Sequence, residues 1–161
     1  MRRPPPGSEP PKKPGRKGER GLQKLLNVAR QAYSEALPYL ARTGTERARE
    51  CKEGLAGALS LIAELETDNA KALSHLREAR TLFQEVVDVA RRNTPGAEYA
   101  GALANLASVI EVTAKRFPEE AHNARGEERR LLQTARAIYL QLDDPDNAES
   151  MQRRPDRHVA P

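Results

Sequence analysis

Among 161 residues the chain has no tryptophan, two phenylalanines and four tyrosines. Any core must therefore be built mainly from aliphatic and small side chains. A single cysteine, Cys51, excludes an internal disulfide. With only three scattered histidines it supplies no zinc framework. No apolar run approaches the roughly 18–20 residues of a membrane span. The basic N-terminus is followed by neither an apolar stretch nor a small-residue cleavage site, so no secretory signal is expected. A cytoplasmic location is the default expectation, with a nuclear one open in a eukaryotic source. The sequence also lacks a glycine-rich phosphate loop, a Ser/His/Asp set in recognisable context and a His-Glu pair at metal spacing. His75 and His122 fall on separate helices at expected surface positions, and His158 lies in the C-terminal tail. The pairs Glu119-Glu120 and Glu127-Glu128 read as solvated helix surface. A non-enzyme without cofactor or metal is the expectation.

What the chain does have is unevenly placed charge. The formal net charge is +4 and the isoelectric point about 9.4. Within residues 1–21, seven basic side chains (Arg2, Arg3, Lys12, Lys13, Arg16, Lys17 and Arg20) face Glu9 and Glu19, leaving +5. The other 140 residues carry 20 basic and 21 acidic groups and are close to neutral. The same segment holds six of the twelve prolines and four of the ten glycines. A segment so poor in apolar surface cannot offset its ordering entropy, so residues 1–21 are expected to form a disordered basic arm. Such an arm suits phosphate, anionic lipid or an acidic partner, and Lys12-Lys13-Pro-Gly-Arg16-Lys17 also fits a nuclear address. It equally serves as a solvated arm that aids solubility, and it has no aromatic platform for stacking bases. Residues 151–161 read as a second disordered tail.

Between the tails, from 22 to 150, apolar residues recur every three or four positions without sustained alternation, which predicts an all-α domain. Helices are expected from about Gly21 to Arg42, with Pro38 kinking or ending the first, and from Thr45 to Glu66. Asp68 is placed to cap a third that runs to about Arg92. Thr94-Pro95 predicts the cap and first residue of a fourth helix, ending near Phe117-Pro118. The fifth is expected from Glu119 to Leu142, with Gly126 as a weak point. Asp144-Pro145 repeats the starting signal, but Arg153-Arg154-Pro155 is expected to abort it. Short connections predict antiparallel neighbours, about five helices in a hairpin stack.

An internal repeat supports stacking. Ala29-Arg-Gln-Ala-Tyr33 recurs as Ala79-Arg-Thr-Leu-Phe83 and as Ala135-Arg-Ala-Ile-Tyr139, at offsets of 50 and 56 residues. A leucine precedes each by three: Leu26, Leu76 and Leu132. Leu55-Ala56 with Leu59 matches Leu106-Ala107 with Ile110, so odd and even helices are of two alternating types. Alanine followed one turn later by an aromatic allows close helix approach while the ring fills the adjoining gap. Cys51 aligns with Ala102 and is expected to be a buried packing residue rather than a reactive thiol.

Tyr33-Ser-Glu-Ala36-Leu37, with Ala29 before it, resembles the second-helix pattern of the tetratricopeptide-repeat family. Leu103-Ala-Asn105-Leu106-Ala107-x-x-Ile110 resembles its first-helix pattern. The resemblance covers about 22–150 and departs from the family in its period, which exceeds the usual 34 residues. Lys52 also stands where Leu103 supplies a large residue. The resemblance implies a right-handed superhelix of helix pairs, in an elongated variant, whose first helices line a concave face for a peptide or partner helix.

On that face the implied binding residues are Glu50, Glu53, Gly57 and Ser60 on the second helix. On the fourth they are Gly101, Ala104, Asn105, Ser108 and Glu111. Asn105 is the sharpest candidate because an amide both accepts from and donates to a peptide backbone, although the same residue also suits a helix-to-helix contact. Ala104 and Ser108 stand where carboxylate-clamping members carry a basic pair, so capture of a C-terminus is not implied. Gly54, Gly57, Gly101 and Ala104 predict a shallow groove. Stack ends without partners leave the apolar face at 22–40 or 138–142 open to self-association, and the chain is readable as a fragment of a longer array. A non-catalytic protein-interaction scaffold is the expected function. The alternative is a nucleic-acid-associated protein that contacts phosphate through the arm alone.

Overall fold

The computed structural model describes residues 16–43, 45–93 and 96–156, and within them the chain is helical, with no strand. Six α-helices follow one another: α1 Arg16–Thr43, α2 Thr45–Leu65, α3 Asn69–Asn93, α4 Ala97–Arg116, α5 Ala124–Gln141 and α6 Pro145–Asp156. Each packs antiparallel on its chain neighbour, which makes an all-α stack of helix hairpins.

The capping signals act at the α2–α3 and α5–α6 joints. Asp68 accepts the backbone N–H groups of Ala70 and Lys71 at 2.9 and 3.2 Å, capping α3 as expected. The Thr94-Pro95 start lies outside the described residues; α4 begins at Ala97, with Gly96 as an extended N-cap. Pro38 neither stops nor divides α1. The carbonyl it deprives of a partner belongs to Ser34, and both residues are exposed, so the position is open to solvent.

Three boundaries differ from the periodic pattern. Helix α1 begins at Arg16, so residues 16–21, assigned by composition to the arm, form its first turns. The last proline of the arm is Pro14, and Arg16, Lys17 and Arg20 are good helix formers that Gly18 and Gly21 do not outweigh. Arg2, Arg3, Lys12 and Lys13 lie outside the described residues.

The single helix expected from Glu119 is instead a turn of 3-10 helix, Pro118–Glu120, followed by a break before α5. Asn123 takes the left-handed conformation there (φ 66°), which asparagine tolerates better than most residues. The buried Phe117 and Ala124 anchor the two sides of this turn.

The helix expected to abort after Pro145 continues to Asp156, making six α-helices among the described residues where five helices were expected. Ala148 and Met151, one turn apart, are both buried and dock α6 on the core. The joint before it is a Schellman closure. Asp143 is left-handed (φ 57°), its N–H reaches the Leu140 carbonyl, and the Asp144 N–H reaches that of Tyr139 at 2.9 Å. Asp144 then caps α6 through the Asn147 N–H at 3.2 Å.

Leu59, Ile62, Leu76, Val86, Leu106, Ile110 and Leu132 are the largest fully buried side chains, and they come from α2 to α5. The repeated alanine-aromatic unit works as its spacing predicts in the interior copies. Ala79 and Ala135 are fully buried, with Phe83 and Tyr139 beside them. The α1 copy sits at the end of the stack, so Ala29 is only half-buried and Tyr33 is 37% exposed.

Ion pairs fix the relation between alternate helices. Arg80, midway along α3, meets Glu127 in the first turn of α5 at 2.7 Å. Arg49 of α2 meets Glu98 of α4 at 3.6 Å, near both starts. Arg116, the last residue of α4, reaches the C-terminal end of α2. Helices α2 and α4 therefore run parallel, as do α3 and α5. The odd and even helices of the sequence repeat are two layers of one stack.

Candidate functional site

The even layer carries the candidate groove. Two arginines tie α2 to α4 at opposite ends. At the N-terminal end Arg49, 9% exposed, binds Glu53 at 2.8 Å and Glu46 through two nitrogens, with Glu98 of α4 alongside. The hydrogen bonds from Arg49 hold the Glu46 carboxyl below its usual range. Glu53 goes the other way. Burial raises it, the neighbouring Glu46 and Glu98 add to that, and Arg49 offsets only part. At the C-terminal end the Arg116 guanidinium donates to the Ala63 carbonyl, to that of Glu66 at 2.6 Å and to Asn69 Oδ1 at 3.0 Å. It thus satisfies the orphan carbonyls at the end of α2. Its head also lies 5.5 Å from the Phe117 ring centre.

Between these ties, two strips at helical spacing face outward. On α2 the strip is Glu50, Glu53, Gly57 and Ser60; on α4 it is Gly101, Asn105, Ser108 and Glu111. Glu50 and Asn105 are exposed, and the others are half-buried. Exposure leaves the Asn105 amide at the surface rather than in a helix-to-helix contact. Gly57 has open space where a side chain would stand. Ser60 spends its hydroxyl on the Ala56 carbonyl at 2.9 Å, and Glu111 pairs with Lys115 at 2.7 Å.

Two of the small residues do not open the groove. Ala104 is buried at 5% exposure and belongs to the core, because it lies one position off the outward strip. Gly54 admits the Tyr33 ring, whose Cε1 lies 2.7 Å from where a Cβ would be. That position is filled from α1. Gly101 sits beside the Tyr139 hydroxyl, 3.8 Å from a built Cβ, so the aromatic of a second odd helix approaches an even-helix glycine as well.

Sequence reasoning missed a hollow. At the C-terminal end of the strips an open hollow of about 540 Å³ is lined by Ala63, Glu64, Leu76, Val112, Lys115 and Arg116. None of the strip residues lines it. Extending the three-four spacing beyond Ser108 and Gly57 reaches Val112, Lys115, Leu61 and Glu64, a signal present in the sequence. Leu61 is 49% exposed beside it.

Other chemistry-bearing groups are dispersed. Cys51 is buried, its thiol 3.4 Å from the Tyr33 carbonyl, and burial pushes its pKa up. His75 is half-buried on α3 and His122 is exposed in the turn before α5. Among the described residues no group of three metal-ligating side chains converges, and no helix is long and apolar enough to cross a membrane. Comparison with protein-family models, curated proteins and solved structures gave no match.

Proposed function

We propose that this protein is a non-catalytic interaction module that holds an extended peptide or a partner helix along the α2–α4 face. The observation that carries the reading is the parallel pairing of α2 and α4, locked at both ends by Arg49 and Arg116. Two outward strips with a hollow of mixed apolar and charged lining at one end suit a ligand that lays its backbone beside Asn105 and seats a side chain against Val112 within reach of Glu64, Lys115 and Arg116. The tetratricopeptide likeness belongs to the same proposal, since that family uses its first helices in this way.

The test is a displayed peptide library selected on the full chain, with calorimetry on the enriched peptides. Asn105→Ala is expected to weaken binding roughly tenfold, the effect of one or two backbone hydrogen bonds. Val112→Arg should abolish binding by filling the hollow, whereas deletion of residues 1–15 should leave affinity unchanged. Peptides that bind equally well to the Val112→Arg chain sink the groove. The phosphate-binding alternative predicts duplex binding that falls steeply with salt and disappears with residues 1–20 removed.

A further inference from the structure

We infer that α1 pairs with the α1 of a second copy, antiparallel and about a twofold axis, through an apolar seam distinct from the groove. Leu22, Leu25, Ala29, Ala32, Ala36 and Tyr39 recur at alternating three- and four-residue intervals, the spacing of a helix-pairing stripe. The side of α1 that meets α2 is a different one, carrying Leu26, Arg30 and Leu37, all half-buried.

The internal repeat identifies the seam as a packing surface. Fifty residues on, the same positions in α3 are Ala72, His75, Ala79, Leu82, Val86 and Val89; His75 and Val89 are half-buried and the other four are buried, because α3 lies between α2 and α4. In α1 the seam has no such cover. Leu25 and Tyr39 are 69% and 72% exposed, and Val28 on its border is 64% exposed where the α3 copy has an exposed glutamate, Glu78. Valine in place of glutamate widens the apolar stripe on α1.

A second copy has two ways to cover the seam. Head-to-tail stacking would need a free apolar face on α6, the last even helix. Its Ala148 and Met151 are already buried on its own chain, and Asp146, Asn147, Glu149 and Ser150 are exposed. Pairing of α1 with itself needs nothing more than α1 carries. Antiparallel alignment about the point between Arg30 and Gln31 sets Leu22 on the partner's Tyr39, Leu25 on the partner's Ala36 and Ala29 on the partner's Ala32, so small residues meet at the centre and larger ones flank them. It also brings Lys24 to the edge that faces the partner's Glu35, twice by symmetry. Neither Lys24 nor Glu35 has an ion-pair partner among the described residues of its own chain. A parallel pair would turn that edge toward Leu26, Tyr33 and Leu40 and would stack Tyr39 on its copy, so charge and size both favour the antiparallel form.

Sedimentation equilibrium of the full chain tests this. A mass approaching twice 17.8 kDa is expected as concentration rises into the micromolar range. Leu25→Asp should weaken the dimer by roughly a hundredfold, without lowering the thermal midpoint of the isolated chain, since its side chain is not in the core. Lys24→Glu and Glu35→Lys should each weaken it roughly tenfold, and the double exchange should restore it. A chain that stays monomeric to about 100 µM overturns the inference, as does a dimer indifferent to Leu25→Asp. A double exchange that fails to restore pairing overturns the antiparallel register.

Discussion

A glycine in the middle of a helix ordinarily weakens it by about 1 kcal/mol relative to alanine. Gly54 and Gly57, three residues apart on α2, separate that rule from its exception. Gly57 faces open space, so Gly57→Ala should raise stability by about 0.5–1 kcal/mol in urea denaturation. Gly54 receives the Tyr33 ring, so a methyl there must displace a side chain that partly covers α2. Gly54→Ala should therefore fall about 1 kcal/mol short of Gly57→Ala. In a Tyr33→Ala background the two substitutions should become equal. Persistence of the difference without the ring would mean that the backbone, not Tyr33, imposes the glycine. Glu53 shows the same dependence on surroundings. It is bonded to an arginine, yet its carboxyl is raised because burial and two neighbouring carboxylates outweigh that bond.

The helices are delimited by a few short polar residues. Asp68 caps α3 with two backbone hydrogen bonds, and Asp68→Ala should cost about 1 kcal/mol of global stability. Asp143 is the converse, a non-glycine residue held left-handed between α5 and α6. Asp143→Gly should stabilise by about 0.5–1 kcal/mol, because the Schellman bonds are backbone bonds and glycine removes the side-chain penalty. Chemical denaturation of both variants decides the matter, and a loss at Asp143→Gly would show that its side chain, rather than the turn, holds the joint. These caps explain why short sequence signals located most boundaries. They also explain α6, whose start was legible at Asp144-Pro145 but whose persistence depends on seating Ala148 and Met151 on the core.

Across the whole molecule, the relation between alternate helices depends on a small number of long polar side chains. Arg116 joins the last turn of α4 to the last turn of α2 and the first of α3. Arg116→Met should lower unfolding stability by about 2 kcal/mol, because a charged donor to otherwise unpaired carbonyls is lost. Lys115→Met, which removes an exposed pair within one helix, should change stability by less than about 0.5 kcal/mol. Equal effects of the two would remove Arg116 from its role as the tie that keeps the groove helices side by side. The α1 seam belongs to this scale too, since the stack covers it in α3 and leaves it open at the end.

The alternation of helix types, the helical class and the caps at Asp68 and Asp144 were present in the sequence spacing, because a 3.6-residue period and a capping side chain act within a few residues of themselves. Asn105, Glu50 and Gly57 were named by the tetratricopeptide resemblance, and carrying their helical spacing one further turn would have reached Val112 and Lys115. Filling of Gly54 by Tyr33 depended on a residue 21 positions away, and division of the expected fifth helix at Asn123 depended on where Phe117 and Ala124 had to sit. No local pattern carries that information. The same holds for the pairing of α2 with α4 through Arg49 and Arg116, because a long side chain finds its acceptor only once the two helices have been brought together.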